Sequence, residues 1–91
     1  MRTLLVGYDL NRPVQDYPKL TGYLRAFGIY WHHLDSTWLI RTTLTAVQLR
    51  DQLLSYIDRN DELLVIEVTG GPAAWYGFND SGSNWIKEQI G

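Results

Sequence analysis

Polar side chains able to bind a metal ion or a phosphate are concentrated around the predicted end of the first strand. Asp9 closes an apolar run that starts at residue 3. In a split βαβ sheet this strand end lies beside the starts of the third and fourth strands, which brings further polar residues near Asp9. These residues are Asn11, His33, Asp35, Ser36, Thr37 and Asp61. Such oxygen-rich sites suit Mg²⁺ or Mn²⁺. Alternatively, Asp9 ends the strand and accepts hydrogen bonds from the following loop.

Aromatic residues are unusually abundant, with four Trp and six Tyr among 91 residues. Packing in the core or in a dimer interface is one role for them, since they bury large areas. The other is a platform on which nucleobases stack. The candidate ligand-binding residues are then Tyr8, Asn11, Trp31, His33, Ser36, Thr37, Trp38, Arg41 and Trp75. We expect Arg41 either to clamp a phosphate or to pair with Glu67.

Several of these candidates also have a purely structural interpretation. His32 and His33 fall on opposite faces of one strand, so at most one of them joins a given site. Ser36 and Thr37 suit a hairpin turn, and Asp61 suits a solvated loop. The chain has no cysteine, which excludes a thiolate metal site. It also lacks a Gly-x-Ser-x-Gly nucleophile turn and a glycine-rich phosphate loop.

The charge balance limits the kind of partner. The net charge is −2, and the eight Lys and Arg residues are scattered along the chain. Sequence-independent binding of duplex DNA or RNA requires many phosphate contacts from such residues, so it is disfavoured. One small phosphate-bearing ligand is compatible with this balance. No apolar run approaches the ~20 residues of a membrane span. We therefore expect a cytoplasmic protein without a membrane partner.

Hydrophobic periodicity predicts one domain over residues 1–91 with the element order strand, helix, strand, strand, helix, strand. The helices follow from apolar residues at three- and four-residue spacing and from a capping box of Thr45 and Gln48. The predicted strands are residues 3–9, 29–34, 37–42 and 63–68. This order indicates a ferredoxin-like α/β (α+β) fold over 1–70, with an antiparallel sheet. The extension 71–91 is predicted to hold a fifth strand at 73–78 and a short helix at 85–90.

The second face of the predicted sheet needs a cover. Strands one and four are apolar on both faces, whereas two helices cover only one face. The two candidate covers are the extension 71–91 and a second copy of the chain. A chain of this length buries only about 60% of its unfolded surface, which also favours a homodimer.

Several segments together resemble a known group of proteins. They are residues 8–11 (YDLN), 17–20 (YPKL), 33–38 (HLDSTW), 57–61 (IDRND), Trp75 and Trp85. As a set they resemble the small CRISPR-associated adaptation subunits, and more closely the short SinR-like proteins grouped with them. Virulence-associated protein D toxins share the opening pattern. The resemblance implies a ferredoxin-like homodimer in which Asp9 binds a divalent metal near the dimer axis. Activities in this group range from metal-dependent nuclease to structural scaffold.

Three functions are compatible with these observations. The first is non-catalytic binding of a nucleotide or short nucleic acid, such as a signalling nucleotide sequestered by a phage or mobile-element protein. The second is an Mg²⁺- or Mn²⁺-dependent endonuclease with Asp9 as catalytic residue. The third is a scaffold without a ligand. The sequence favours the first, because a nuclease must hold a polyanion and the chain has no basic track.

Overall fold

Four strands and three α-helices, with one short 3₁₀ helix, make up the described part of the chain. The computed structural model describes residues 1–10 and 17–90. The elements are β1 (Arg2–Asp9), α1 (Pro18–Arg25), β2 (Tyr30–Leu34), β3 (Thr37–Thr42), α2 (Ala46–Leu53), the 3₁₀ helix (Leu54–Tyr56), β4 (Glu62–Glu67) and α3 (Asp80–Gln89). None of the helices within these residues has the length and apolar content needed to cross a membrane.

The sheet is antiparallel throughout, with the strand order β2-β3-β1-β4. The end of β1 lies between its two neighbours, since Gly7 pairs with Thr37 and Asp9 pairs with Glu62. The four-stranded antiparallel sheet predicted from the sequence is therefore confirmed, and the architecture is consistent with a ferredoxin-like fold. Its central strand β1 contributes side chains to both faces.

The first face of the sheet packs against α1 and α2. Its core consists of side chains with no exposed surface: Leu4, Val6, Leu20, Leu24, Trp38, Ile40, Leu49 and Leu53. The capping box that fixes the start of α2 forms as predicted. The Gln48 amide donates to Thr45 Oγ1 at 3.2 Å, and the Thr45 amide donates to Gln48 Oε1 at 2.9 Å. The predicted N-cap of α1, Asp16, lies outside the described residues.

A cluster of aromatic rings packs against the first core, next to α1 and the 3₁₀ helix. Tyr23 stacks on Tyr56 with ring centroids 4.8 Å apart and meets the edge of Phe27 at 5.3 Å. Its hydroxyl donates a hydrogen bond to Gln52 Oε1. Burial, with a smaller contribution from Tyr56, raises the pKa of Tyr23 above its usual value. These tyrosines are thus structural.

The extension 71–91 differs from its prediction. Residues 71–79 form no strand, and the C-terminal helix is longer than expected, beginning at Asp80. Gly70 and Gly71 both have positive φ, near +81° and +71°, and turn the chain away from the edge of β4. Pro72 then lacks an N–H for a strand ladder. The apolar segment 72–78 consequently crosses the second face of the sheet and does not extend its edge.

The helix α3 packs on this second face. Asn79 caps it, accepting a hydrogen bond from the Gly82 amide at 2.9 Å. Trp31 and Leu39 of the sheet and Ile86 of α3 are buried in a second, smaller core between the sheet and the helix. The extension thus supplies cover for β2, β3 and part of β1. It does not cover the second face of β4, because Leu64 and Ile66 remain 58% and 48% exposed.

Two adjacent leucines, the last residue of α2 and the first of the 3₁₀ helix, differ in burial and allow a test of the packing of the first core. Leu53 is fully buried and Leu54 is 54% exposed. We predict that Leu53→Ala lowers the free energy of unfolding by about 2–5 kcal/mol. The matched control Leu54→Ala should change it by less than about 1 kcal/mol, because it removes little buried surface. Urea denaturation of both variants measures the difference, and equal losses would contradict this packing.

Candidate functional site

A cleft opens on the second face of the sheet, beneath the segment 72–78. Its volume is about 320 Å³, within the range of small-molecule sites. One wall comes from the sheet and includes Leu5, Thr37 and Leu39. The rest of the lining is Trp31, Leu34, Val68, Pro72, Ala73, Ala74, Trp75, Tyr76, Phe78, Ile86 and Ile90. The cleft is therefore mostly apolar, with aromatic rings at several points of its wall.

Side-chain contacts hold the segment 72–78 over the sheet. Trp31 Nε1 donates to the Gly82 carbonyl at 3.1 Å, and Trp75 Nε1 donates to Ser83 Oγ at 3.1 Å. Phe78 packs edge-on against Trp31, with ring centroids 4.9 Å apart. Both indole N–H groups are therefore satisfied by α3. These contacts fix the aromatic walls of the cleft in position.

The close approach of α3 to β2 depends on a residue without a side chain. A Cβ atom added to Gly82 would lie about 3.2 Å from the His33 ring, closer than ordinary van der Waals contact. Gly82 is buried, whereas His33 is exposed beside it. A larger residue at position 82 would require the exposed His33 ring to move by a few tenths of an ångström. The glycine therefore permits the close contact between α3 and the His33 side chain.

Arg41 holds the last turn of α3 against the sheet. Its Nη1 donates to Thr3 Oγ1 at 2.8 Å and to the Gln89 carbonyl at 3.4 Å, and Thr3 Oγ1 also donates to that carbonyl at 3.1 Å. A cation at a helix C-terminus also interacts favourably with the helix dipole. The expected pair of Arg41 with Glu67 is wrong. The register places Glu67 opposite Leu4, and its carboxylate lies 3.6 Å from Arg2.

The predicted aromatic candidates divide between the two faces. Trp38 is buried in the first core, where its Nε1 donates to Tyr8 Oη at 3.0 Å and its ring stacks on His32 at 3.8 Å. Trp31 and Trp75 instead line the cleft. Antiparallel pairing brings Trp31 opposite Leu39, the neighbour of Trp38 in β3. The pleat therefore sends the two tryptophans to opposite faces, and no single site contains both.

The polar residues predicted to surround Asp9 do not all lie together in the structure. Thr37 lines the cleft, and the Ser36 carbonyl accepts a hydrogen bond from the Tyr8 amide at 3.1 Å. Asp9 is exposed and lies opposite Glu62 across the β1–β4 pair. Within residues 1–10 and 17–90 no three His, Asp or Glu side chains are grouped to hold a metal ion. Asn11 lies outside these residues, so a metal site that includes it stays a prediction.

Asp61 takes part in the structure of its own loop. It accepts hydrogen bonds from the Tyr17 hydroxyl at 3.2 Å and from the Asp58 amide at 2.7 Å. These contacts connect the start of α1 to the loop before β4. They support the structural interpretation of Asp61 as a loop residue.

Sequence reasoning missed several residues of the cleft, of which Tyr76 is the most exposed at 97%. Leu34, Pro72, Ala73, Ala74 and Phe78 belong to the same group. One signal could have found them. Asn79 is a good N-cap residue, and it marks the start of a helix at residue 80. The preceding apolar segment then becomes a connection that lies across the sheet.

Comparison of the chain with protein-family models gave no match, and comparison with curated proteins gave none. The resemblance to CRISPR-associated adaptation subunits accordingly stays a prediction. The fold and the site define a small α+β domain with an apolar, aromatic-walled cleft between its sheet and a C-terminal segment.

We predict that Arg41→Lys loosens the last turn of α3. Lysine keeps the charge, but its ammonium nitrogen lies one bond nearer the backbone than Nη1, the atom that donates to both Thr3 and Gln89. The free energy of unfolding should fall by about 1–2 kcal/mol. Exchange of the Ile90 amide, which donates to the Ile86 carbonyl at 2.9 Å, should become faster.

The matched control for this variant is Arg50→Lys. Arg50 pairs with Asp51 on the exposed side of α2, so its replacement should change the free energy of unfolding by less than about 0.5 kcal/mol. Urea denaturation and amide exchange distinguish the two variants. Similar effects at positions 41 and 50 would contradict the role of Arg41 in holding α3.

Proposed function

We propose that this chain is a non-catalytic binding protein that takes the base of a nucleotide, or of a short single-stranded nucleic acid, into the cleft. The observation that carries the proposal is the apolar cleft with aromatic rings in its wall and Tyr76 at its mouth. A nucleobase offers two apolar faces to stack and a polar edge to hydrogen-bond. The volume of about 320 Å³ suits one such ring system.

Unpaired backbone groups at the cleft are suited to bind the polar edge of a base. The N–H and C=O groups of Ala73, Ala74 and Tyr76 form no hydrogen bond with residues 1–10 or 17–90. Thr37, a residue with a hydroxyl group, belongs to the sheet wall of the cleft. Sites of this kind bind a ligand through apolar contact and fix its orientation through a few polar groups. These groups would select among bases.

Tyr76 provides the test of this proposal. Its side chain is 97% exposed, so Tyr76→Ser should leave the free energy of unfolding nearly unchanged. Loss of one stacking ring should weaken binding by about five- to a hundredfold. Calorimetric titration in EDTA with the four common nucleoside 5′-monophosphates, and with dinucleotides, measures the affinities. The matched control is Val47→Ser on α2, which is exposed and far from the cleft.

Each outcome of the titration has a defined meaning. Equal affinities for the Tyr76 and Val47 variants would show that the cleft is not the binding site. No binding by the wild-type protein to any of these ligands would contradict the proposal. A dinucleotide recovered in pieces with Mg²⁺ or Mn²⁺ would favour the endonuclease alternative instead. Abolition of that cleavage by Asp9→Asn would then identify its site.

A second surface favours a homodimer, which we propose as the form in which the protein binds. Leu64 and Ile66 project from β4 on the second face of the sheet, beyond the reach of the extension. Leu5, half-buried beside Ile66, joins them to the cleft wall. β4 is also an edge strand with unpaired backbone groups on its outer side. A second copy placed about a two-fold axis would cover these leucine and isoleucine side chains.

The homodimer is tested by adding charge to this surface. We predict that the double variant Leu64→Lys with Ile66→Lys is a monomer, because burial of two lysines in an apolar contact is unfavourable. The matched control is Val47→Lys with Leu54→Lys, both exposed on the helix side. Sedimentation equilibrium gives the mass of each protein. A wild-type protein that stays monomeric over the accessible concentration range would contradict the homodimer.

A further inference from the structure

A second depression adjoins the cleft and has a lysine in its lining. This depression is lined by Gly70, Gly71, Pro72, Ala73, Trp75, Ile86 and Lys87. It shares Pro72, Ala73, Trp75 and Ile86 with the cleft, so the two concavities adjoin along these residues. On the basis of the proposed function, we infer that Lys87 binds the phosphate of a nucleotide whose base occupies the cleft.

In the part of the chain that the structure describes, the Lys87 ammonium group has no hydrogen-bond or ion-pair partner. The carbonyl of the last helical turn, at Gln89, is already held by Arg41 and Thr3. Arg2, a further cation near this end of the sheet, pairs with Glu67. The Lys87 side chain is exposed at the rim of the depression. Its ammonium group is therefore available to an anionic ligand.

The charges along the second face give the ligand one orientation. Asp9, the last residue of β1, lies opposite Glu62, the first residue of β4. This pair is two residues along the strands from the Gly7–Leu64 pair. Gly7 also pairs with Thr37, which lines the cleft, so these carboxylates flank that side of it. Lys87 lies by Gly70 and Gly71, at the opposite end of β4. A phosphate is repelled by the two carboxylates and attracted to the lysine.

The solvent exposure of Lys87 limits how much it can increase the affinity for a phosphate. Its side chain is exposed, so water and salt screen the attraction, and one such contact changes affinity by a modest factor. The adjoining base-binding cleft adds the apolar part of the interaction. A nucleotide should therefore bind more tightly than its nucleoside, with a difference that shrinks as salt rises.

The experiment compares each nucleoside with its 5′-monophosphate. The proteins are the wild type, Lys87→Gln and the matched control Lys19→Gln, whose lysine is exposed on α1. We expect the monophosphate to bind the wild type and the Lys19 variant about two- to fivefold more tightly than the nucleoside at low salt. Lys87→Gln should bind the two ligands equally, with the affinity for the nucleoside unchanged. A 5′-phosphorylated dinucleotide and its dephosphorylated form distinguish a short oligonucleotide from a mononucleotide as the source of the phosphate.

The outcomes separate this inference from the proposed function. If nucleosides and nucleotides bind the wild type equally, or if Lys87→Gln keeps the preference for the phosphate, the role of Lys87 is overturned while base binding in the cleft stands. If no nucleoside or nucleotide binds, both proposals fail. Thermal unfolding of each variant is measured alongside, because Lys87 also interacts with the C-terminal end of the helix dipole.

Discussion

The sheet is apolar on both faces, and the need to cover both of them determines most of the remaining structure. Leu4 and Val6 point from β1 into the core beneath α1 and α2, and Leu5 points to the opposite side. Two helices cover a single face of a sheet, so the second face requires another element. The C-terminal extension supplies it through α3 and the segment 72–78. Because the extension does not cover β4, apolar surface remains at Leu64 and Ile66.

The cleft forms because α3 and the segment 72–78 contact the sheet at only a few points. α3 approaches β2 closely at Gly82 and is held at its other end by Arg41. The segment 72–78 connects β4 to α3 through side-chain contacts, without a strand ladder to the sheet. A ladder would have aligned the segment with the edge of the sheet, and the segment would then form no wall above Leu39. The irregular path leaves an open cleft between the segment and the sheet, which is where we propose that a ligand binds.

The tryptophans differ in how completely they are buried. Trp38 and Trp31 are buried in the two cores, where they fill volume and satisfy their N–H groups. Trp75 is half-buried and borders both the cleft and the depression that contains Lys87. Tyr76, next to it, is the side chain with the greatest freedom to contact a ligand. The proposed site therefore depends on residues of the extension and not on the strand end at Asp9.

The local elements follow from short-range patterns in the sequence. Alternation and helical spacing predicted four strands and the helices α1 and α2, and the Thr45–Gln48 capping box was correct because it depends on contacts three residues apart. Tertiary structure alone decided the path of residues 72–78, since an apolar run fits a sheet edge and a sheet face equally well. It also decided which tryptophans meet, because strand register and the pleat assign Trp31 and Trp38 to opposite faces. The spacing of residues along the chain does not specify the register between β2 and β3. The aromatic wall of the cleft forms only when that register places Trp31 on the second face.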